Sequence, residues 1–259
     1  MKSAAEEDSL DMANMTEMPE NFEITSEQMV KEVMPLFHGP FVKMRLRHTD
    51  LEYTVSKPLL CKASPYFDSM FKDNEIGDVE QIITLDPIDG AVSKRSIEGV
   101  LQWIYTRQIH CEASLSRADE IASAIEIARL ADLWRIAGAL RDTLAERIKK
   151  AVLASRGKAF KKVKAVIITR QHIFSAGYLP QDHAVRRIVV QAAMGAFLRT
   201  DGDCYGREIR EHPSFGADLL QELRPRLNQL IRKGQRAGIA DPLDGKGYLC
   251  LRFCESNGE

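Results

Sequence analysis

The chain has 259 residues and a mass of 29.2 kDa, room for one large domain or two small ones around a sizeable core. Its 44% hydrophobic and 28% charged residues are the composition of an ordinary folded protein. Thirty-six basic against 37 acidic side chains leave a net charge of −1, which excludes a wholly cationic nucleic-acid binder and a wholly acidic disordered chain.

The cysteines, Cys61, Cys111, Cys204, Cys250 and Cys254, are odd in number and form no C-x-x-C pair. A reducing compartment is expected, with no disulfide framework. Cys250 and Cys254 lie beside Leu249, Leu251 and Phe253 and read as small apolar residues, so no metal or cofactor is expected. The N-terminus runs Ser3-Ala4-Ala5-Glu6-Glu7-Asp8, without the apolar core of a secretory signal. The most apolar run, Ile188 to Leu198, is broken by Gln191 and Gly195 and is too short to span a bilayer. These features predict a soluble intracellular protein, cytoplasmic, nuclear or both, with no membrane contact.

Residues 1–30 carry Glu6, Glu7, Asp8, Asp11, Glu17, Glu20, Glu23 and Glu27 against Lys2 alone. A segment so charged buries too little apolar surface to offset its ordering entropy, and it is predicted to be a disordered acidic tail, with some helix near Ser26-Glu27. Order is expected from Gly39-Pro40. Val42, Met44 and Leu46 alternate with Lys43, Arg45 and Arg47, and after a turn at His48-Thr49-Asp50, Leu51, Tyr53 and Val55 alternate again. That is the pattern of a β-hairpin with one face buried. Lys57-Pro58 opens one short helix and Ser64-Pro65 a second, because proline suits a first helical turn and serine can cap it. Ile82 to Leu85 reads as a further strand, ended by Asp86-Pro87 and Asp89-Gly90.

Helical periodicity then takes over. Ile97, Val100, Leu101 and Ile104 form one stripe; Ile121, Ala124, Ile125, Ala128 and Ala131 a second; Ile136, Ala137, Leu140, Leu144 and Ile148 a third. The second half is predicted to be helical throughout. Val185, Ile188, Val189, Ala192 and Ala196 make a stripe, Ser214 is the expected cap of the helix carrying Phe215, Leu219, Leu220 and Leu223, and Pro225 should bend or restart it. The fold class is α+β, strands early and helices late.

The segment from Tyr53 to Phe71, with Val55, Lys57, Leu60, Ser64, Tyr66, Phe67 and Met70 within it, resembles the signature of BTB/POZ domains. That signature is an aromatic-x-Val-x-Lys strand end, a Leu, then Ser-x-Tyr-Phe-x-x-Met-Phe. Leu101 to Thr106, with Tyr105, is similar to the family's Tyr-Thr helix end, and Ile127 to Ile136 to its Leu-Ala-x-x-aromatic-x-Ile/Val helix pair. Two positions depart from the pattern: Ser56 stands where His usually precedes the lysine, and Gly39-Pro40 replaces an Asp before the first strand. The Gly-Pro start resembles short BTB proteins common in fungi, in which the domain is succeeded by a helical C-terminal region. His183 to Val189 and Pro213 to Leu220 are similar to that region.

The resemblance implies a BTB/POZ fold, a small β-sheet flanked by helices, over residues 38–150, followed by an all-α C-terminal region. The organisation expected is an acidic tail over 1–30, the domain, a basic linker or helix over 151–175, a helical region over 176–240 and a tail over 241–259. The signature residues make the fold, with Tyr66, Phe67, Met70 and Phe71 laid as core over the hairpin and Ser64 satisfying free N–H groups of their helix.

The functional implication is a non-enzymatic interaction module that forms a homodimer and recruits other proteins. The sequence has no G-x-x-x-x-G-K-[ST] loop, no G-x-S-x-G elbow and no H-E-x-x-H pair, and so points to no catalytic residue. Family members that act as adaptors of cullin-type ubiquitin ligases carry an apolar-x-Glu motif shortly after the Met-Phe. The corresponding place here is Ile76-Gly77-Asp78, with a shorter carboxylate, so Ile76 and Asp78 are the candidate cullin-facing residues. Residues 141–170 hold ten basic side chains against Asp142 and Glu146. Within them Lys149-Lys150, a ten-residue spacer and Lys161-Lys162-Val163-Lys164 match a bipartite nuclear-import signal, which would make the protein a nuclear scaffold. The competing reading is a solvated helix face joining the two halves. No zinc-finger or basic-zipper pattern accompanies the patch, so direct nucleic-acid binding is not expected.

Overall fold

In a computed structural model of the chain, the described residues are 31, 33–73, 81–110, 115–159, 167–199, 204–227, 231–233, 236–245 and 248–252. A one-turn helix α1 (Met34–Phe37) precedes strands β1 (Phe41–Leu46) and β2 (Glu52–Ser56), which pair antiparallel with Val42 opposite Val55 and Met44 opposite Tyr53. His48, at φ 62°, makes the left-handed step of the turn. Val42, Met44, Leu46 and Val55 point inward, the face that the alternation predicted.

Strand β3 (Gln81–Leu85) pairs parallel to β1, giving the sheet order β2-β1-β3. A parallel pairing needs a crossover, and helices α2 (Lys57–Ala63) and α3 (Pro65–Asp73) lie in that connection. Both start on the sequence signals. Ser56 Oγ accepts from the Leu59 N–H, and Ser64 Oγ from the Phe67 N–H, each with proline in the first turn behind it.

Helix α4 (Lys94–Thr106) opens on a reciprocal Ser93–Ser96 capping box and closes on Arg107 in the left-handed conformation. Helix α5 (Arg117–Leu133), capped by Ser116, is buried around most of its circumference, with Ile121, Ala124, Ile125, Ile127, Ala128, Leu130 and Ala131 all in the core. A helix apolar on every side is one enclosed by neighbours. The helices enclosing it are α4, α6 (Leu140–Ala159) and α7 (Arg170–Ala176). Ile136 is buried as the third apolar stripe requires, but it sits in the turn before α6, where Gly138 takes φ 92°.

Helices α8 (Ala184–Arg199), α9 (Gly206–Glu211) and α10 (Pro213–Leu227) complete the helical region. One continuous buried cluster runs from Val42 through α5 to Val189, Phe215 and Ile239, so the C-terminal region shares the core of the first half.

Three local expectations are corrected. The cap of α10 is not Ser214: Pro213 takes the first helical position, where its fixed φ fits and its missing N–H costs nothing, and Ser214 falls inside the first turn. Pro225 does not restart that helix, which continues through it to Leu227. The region after 176 is not helical throughout, because β4 (Ile231–Lys233), β5 (Arg236–Ala240) and β6 (Tyr248–Arg252) form an antiparallel meander, the last strand within the expected tail. Gly238 and small alanines hide the strand period in β5, and β6 pairs only because the Asp241–Gly245 turn brings it back. The acidic segment 1–30 lies outside the described residues.

Candidate interaction surfaces

The signature side chains act on one another. Tyr53 donates its phenol to Glu98 of α4 at 3.2 Å, and burial, together with the carboxylate, pushes that phenol up to about 12. Tyr105, at the end of α4, accepts from the Ser56 N–H at 3.0 Å and so ties α4 to the end of β2. Lys57 lays its ammonium 4.8 Å from the centre of the Phe71 ring. Val55 and Leu60 are core. Phe67 is fully buried, stacked on Phe71 and edge-on to Trp134 at 5.2 Å.

Tyr66 is the exception among the signature aromatics. It is 41% exposed, and Met70 is only half-buried. Neighbouring helical residues point about 100° apart, so Tyr66 and Phe67 cannot share one face. The buried face of α3 meets Trp134, in the turn after α5, rather than the hairpin alone. Ser64 exceeds its predicted role, since besides capping α3 its hydroxyl donates to the Trp134 carbonyl.

Exposed large apolar side chains are spread along the chain, and three of them fall close together at the start of the fold. Met34, Phe37 and Phe41 are 42%, 38% and 51% exposed, and the Phe37 ring leans edge-on against Tyr105. Ile82 on β3, a strand at the sheet edge, is also half exposed. Ile76 and Asp78 lie outside the described residues, as do Lys161, Lys162 and Lys164. Of the basic segment, Lys150 stands exposed on α6, while Lys149 reaches Glu146 at 3.4 Å. Among the described residues no group of three or more His, Cys, Asp or Glu could hold a metal, and no helix is long and apolar enough to cross a membrane.

Residues 38–150 match the family model of the BTB/POZ domain. The match covers the sheet, both proline-led helices and the Tyr105–Ser56 tie. This segment is a BTB/POZ domain. BTB domains are protein–protein interaction modules, and the chain accordingly carries one. No curated protein matches the chain.

Several buried polar side chains join the BTB domain to the C-terminal region or brace that region internally, and sequence reasoning found none of them. Arg129 on α5 is buried, donates to the Asp89 carbonyl at 3.2 Å and stacks its guanidinium 4.4 Å over the Tyr178 ring. Gly90, at φ 65°, is required beside it, because a Cβ there would stand 2.4 Å from an Arg129 nitrogen. Beyond the domain, Arg186 pairs with Asp218 at 2.7 Å, both side chains about nine-tenths buried, and donates to the Gly177 and Leu179 carbonyls. That pair walls a cavity of about 250 Å³ floored by Ile173, Val189 and Phe215 and rimmed by Phe174 and Tyr178. Partners this far apart in sequence leave no local spacing signal.

Proposed function

We propose that the protein is a self-associating BTB scaffold that recruits other proteins and has no reaction of its own. The observation that carries this reading is the exposed Met34, Phe37 and Phe41 set. Three large apolar side chains close together in sequence at one end of the domain invite a symmetric partner, and covering the half or so that each still exposes contributes on the order of 1 kcal/mol. Light scattering on the full chain tests it: the mass should be twice the 29.2 kDa of one chain. Met34→Lys with Phe41→Glu should return the single-chain mass without unfolding, and a wild-type monomer at high micromolar concentration overturns the reading.

Two narrower roles rest on sequence. Ile76-Gly77-Asp78, between α3 and β3, supports a cullin-adaptor role. A recombinant cullin should then be retained by the wild type and lost on Asp78→Ala; no retention sinks the idea. Lys149-Lys150 with Lys161-Lys162-Val163-Lys164 supports nuclear import, helped by the exposure of Lys150. A tagged chain with Lys161, Lys162 and Lys164 changed to Ala should then leave the nucleus, and an unchanged distribution rejects import.

A further inference from the structure

Two buried histidines stand where the C-terminal region meets the BTB domain, His172 bonded to the start of α5 and His183 at the start of α8, which packs on α6. His172, 3% exposed in α7, donates through Nε2 to the Ala118 carbonyl of α5 at 3.1 Å and accepts at Nδ1 from the Thr169 N–H at 3.2 Å. His183, also 3% exposed, immediately precedes α8 and accepts at Nδ1 from the Val185 N–H at 3.1 Å, while its Nε2 is buried without a partner. A backbone N–H only donates, so both rings must be neutral and carry their proton on Nε2. Tyr178, whose ring carries the Arg129 guanidinium, lies between the two in the chain.

We propose that His172 and His183 form an acid-sensitive latch, whose protonation releases α7 from α5 and the start of α8 from α6. A proton on either Nδ1 turns an acceptor into a donor aimed at another donor. It also places a positive charge at the N-terminal end of a helix, where the backbone dipole opposes it. The charged groups around each ring work in both directions. Asp119 of α5 faces His172 and favours its charged form, while Arg170 of the same helix turns to Glu211. Around His183, Arg141 of α6 opposes a second positive charge, and Asp132 of α5, Asp142 of α6 and Asp182 favour it.

Burial outweighs the Ala118 carbonyl and Asp119 at His172, and the three carboxylates at His183, and holds each ring below the ordinary imidazole value. Once released, each ring takes up a proton near the ordinary value of about 6.5, whereas docked it resists until lower pH. The open form therefore binds more protons, and docking weakens as pH falls through the open-state value towards the docked one.

Hydrogen exchange on the full chain, corrected for intrinsic rates and compared at about pH 7.5 and about pH 5.5, tests the latch. Protection over 169–190 should fall roughly tenfold or more on acidification, while β1 and β2 stay unchanged. His172→Gln keeps a side chain that can complete the Thr169 capping box, and His183→Asn keeps an acceptor for Val185. The double variant should lose the pH dependence. Nitrogen NMR of the imidazoles should show both rings as the Nε2–H tautomer at neutral pH, gaining a proton only below the ordinary imidazole value of about 6.5. Equal protection at both pH values overturns the latch. So does an equal loss in the double variant, or titration of both rings at the ordinary imidazole value of about 6.5.

Discussion

The hydroxyl of Ser64 caps α3 through the Phe67 N–H and donates to the Trp134 carbonyl, so a single buried side chain binds three parts of the chain. Ser64→Ala should cost about 1–2 kcal/mol, read as a lower denaturation midpoint with an unchanged denaturant slope. Arg186 carries a larger stake. Arg186→Met leaves the Asp218 carboxylate buried and unpaired, and two backbone carbonyls lose their donor. About 3–5 kcal/mol should be lost, with much of it recovered when Asp218→Leu is added, since the penalty is the stranded charge rather than the absent bond.

Among elements, α3 docks through one ring. Phe67→Ala removes the contact with both Phe71 and Trp134 and should cost about 3–5 kcal/mol, which calorimetry or denaturant melts would register. Tyr66→Ala, one residue away and exposed, should cost far less. The turn after β3 depends on Gly90: Gly90→Ala combines a left-handed φ with a clash against Arg129, and a loss of about 1–2 kcal/mol is expected on denaturant melting. Helices α4 and α5 approach so closely that a Cβ on Gly99 would stand 2.5 Å from Ile127 Cδ1.

At the scale of the molecule, the BTB domain and the C-terminal region share one core. Val185, Val189 and Ile173 join the cluster that holds Ile121, Ile125 and Ala128. The full chain should therefore melt at neutral pH in one cooperative transition. A chain ending at Ala159 uncovers one side of α5 and should melt lower, bind a hydrophobic dye and lose solubility. Two separate transitions in the full chain would contradict the shared core.

Much of the BTB domain was legible because its signals are local. Alternation set β1 and β2, Lys57-Pro58 and Ser64-Pro65 set α2 and α3, and a 3.6-residue stripe set α4 to α6. Each depends on neighbours within a turn or a hairpin. Where a face was ambiguous the sequence misled, as at Tyr66 beside Phe67, because only the place of Trp134 decides which ring is buried. The meander β4–β6 was missed for a related reason: strands as short as Ile231–Lys233 exist only through their pairing.

The sequence by itself determined the signature, the order of elements from β1 to α6 and the segregation of acidic and basic charge along the chain, since each is a property of nearby residues. Tertiary structure alone decided the seam: which arginine stacks on Tyr178, which carboxylate Arg186 neutralises, and that His172 and His183 must stay uncharged. Those partners lie as much as 54 residues apart, as His172 and Ala118 do. Burial then raises the stakes of each contact, because a polar group withdrawn from water must find its partner within the fold.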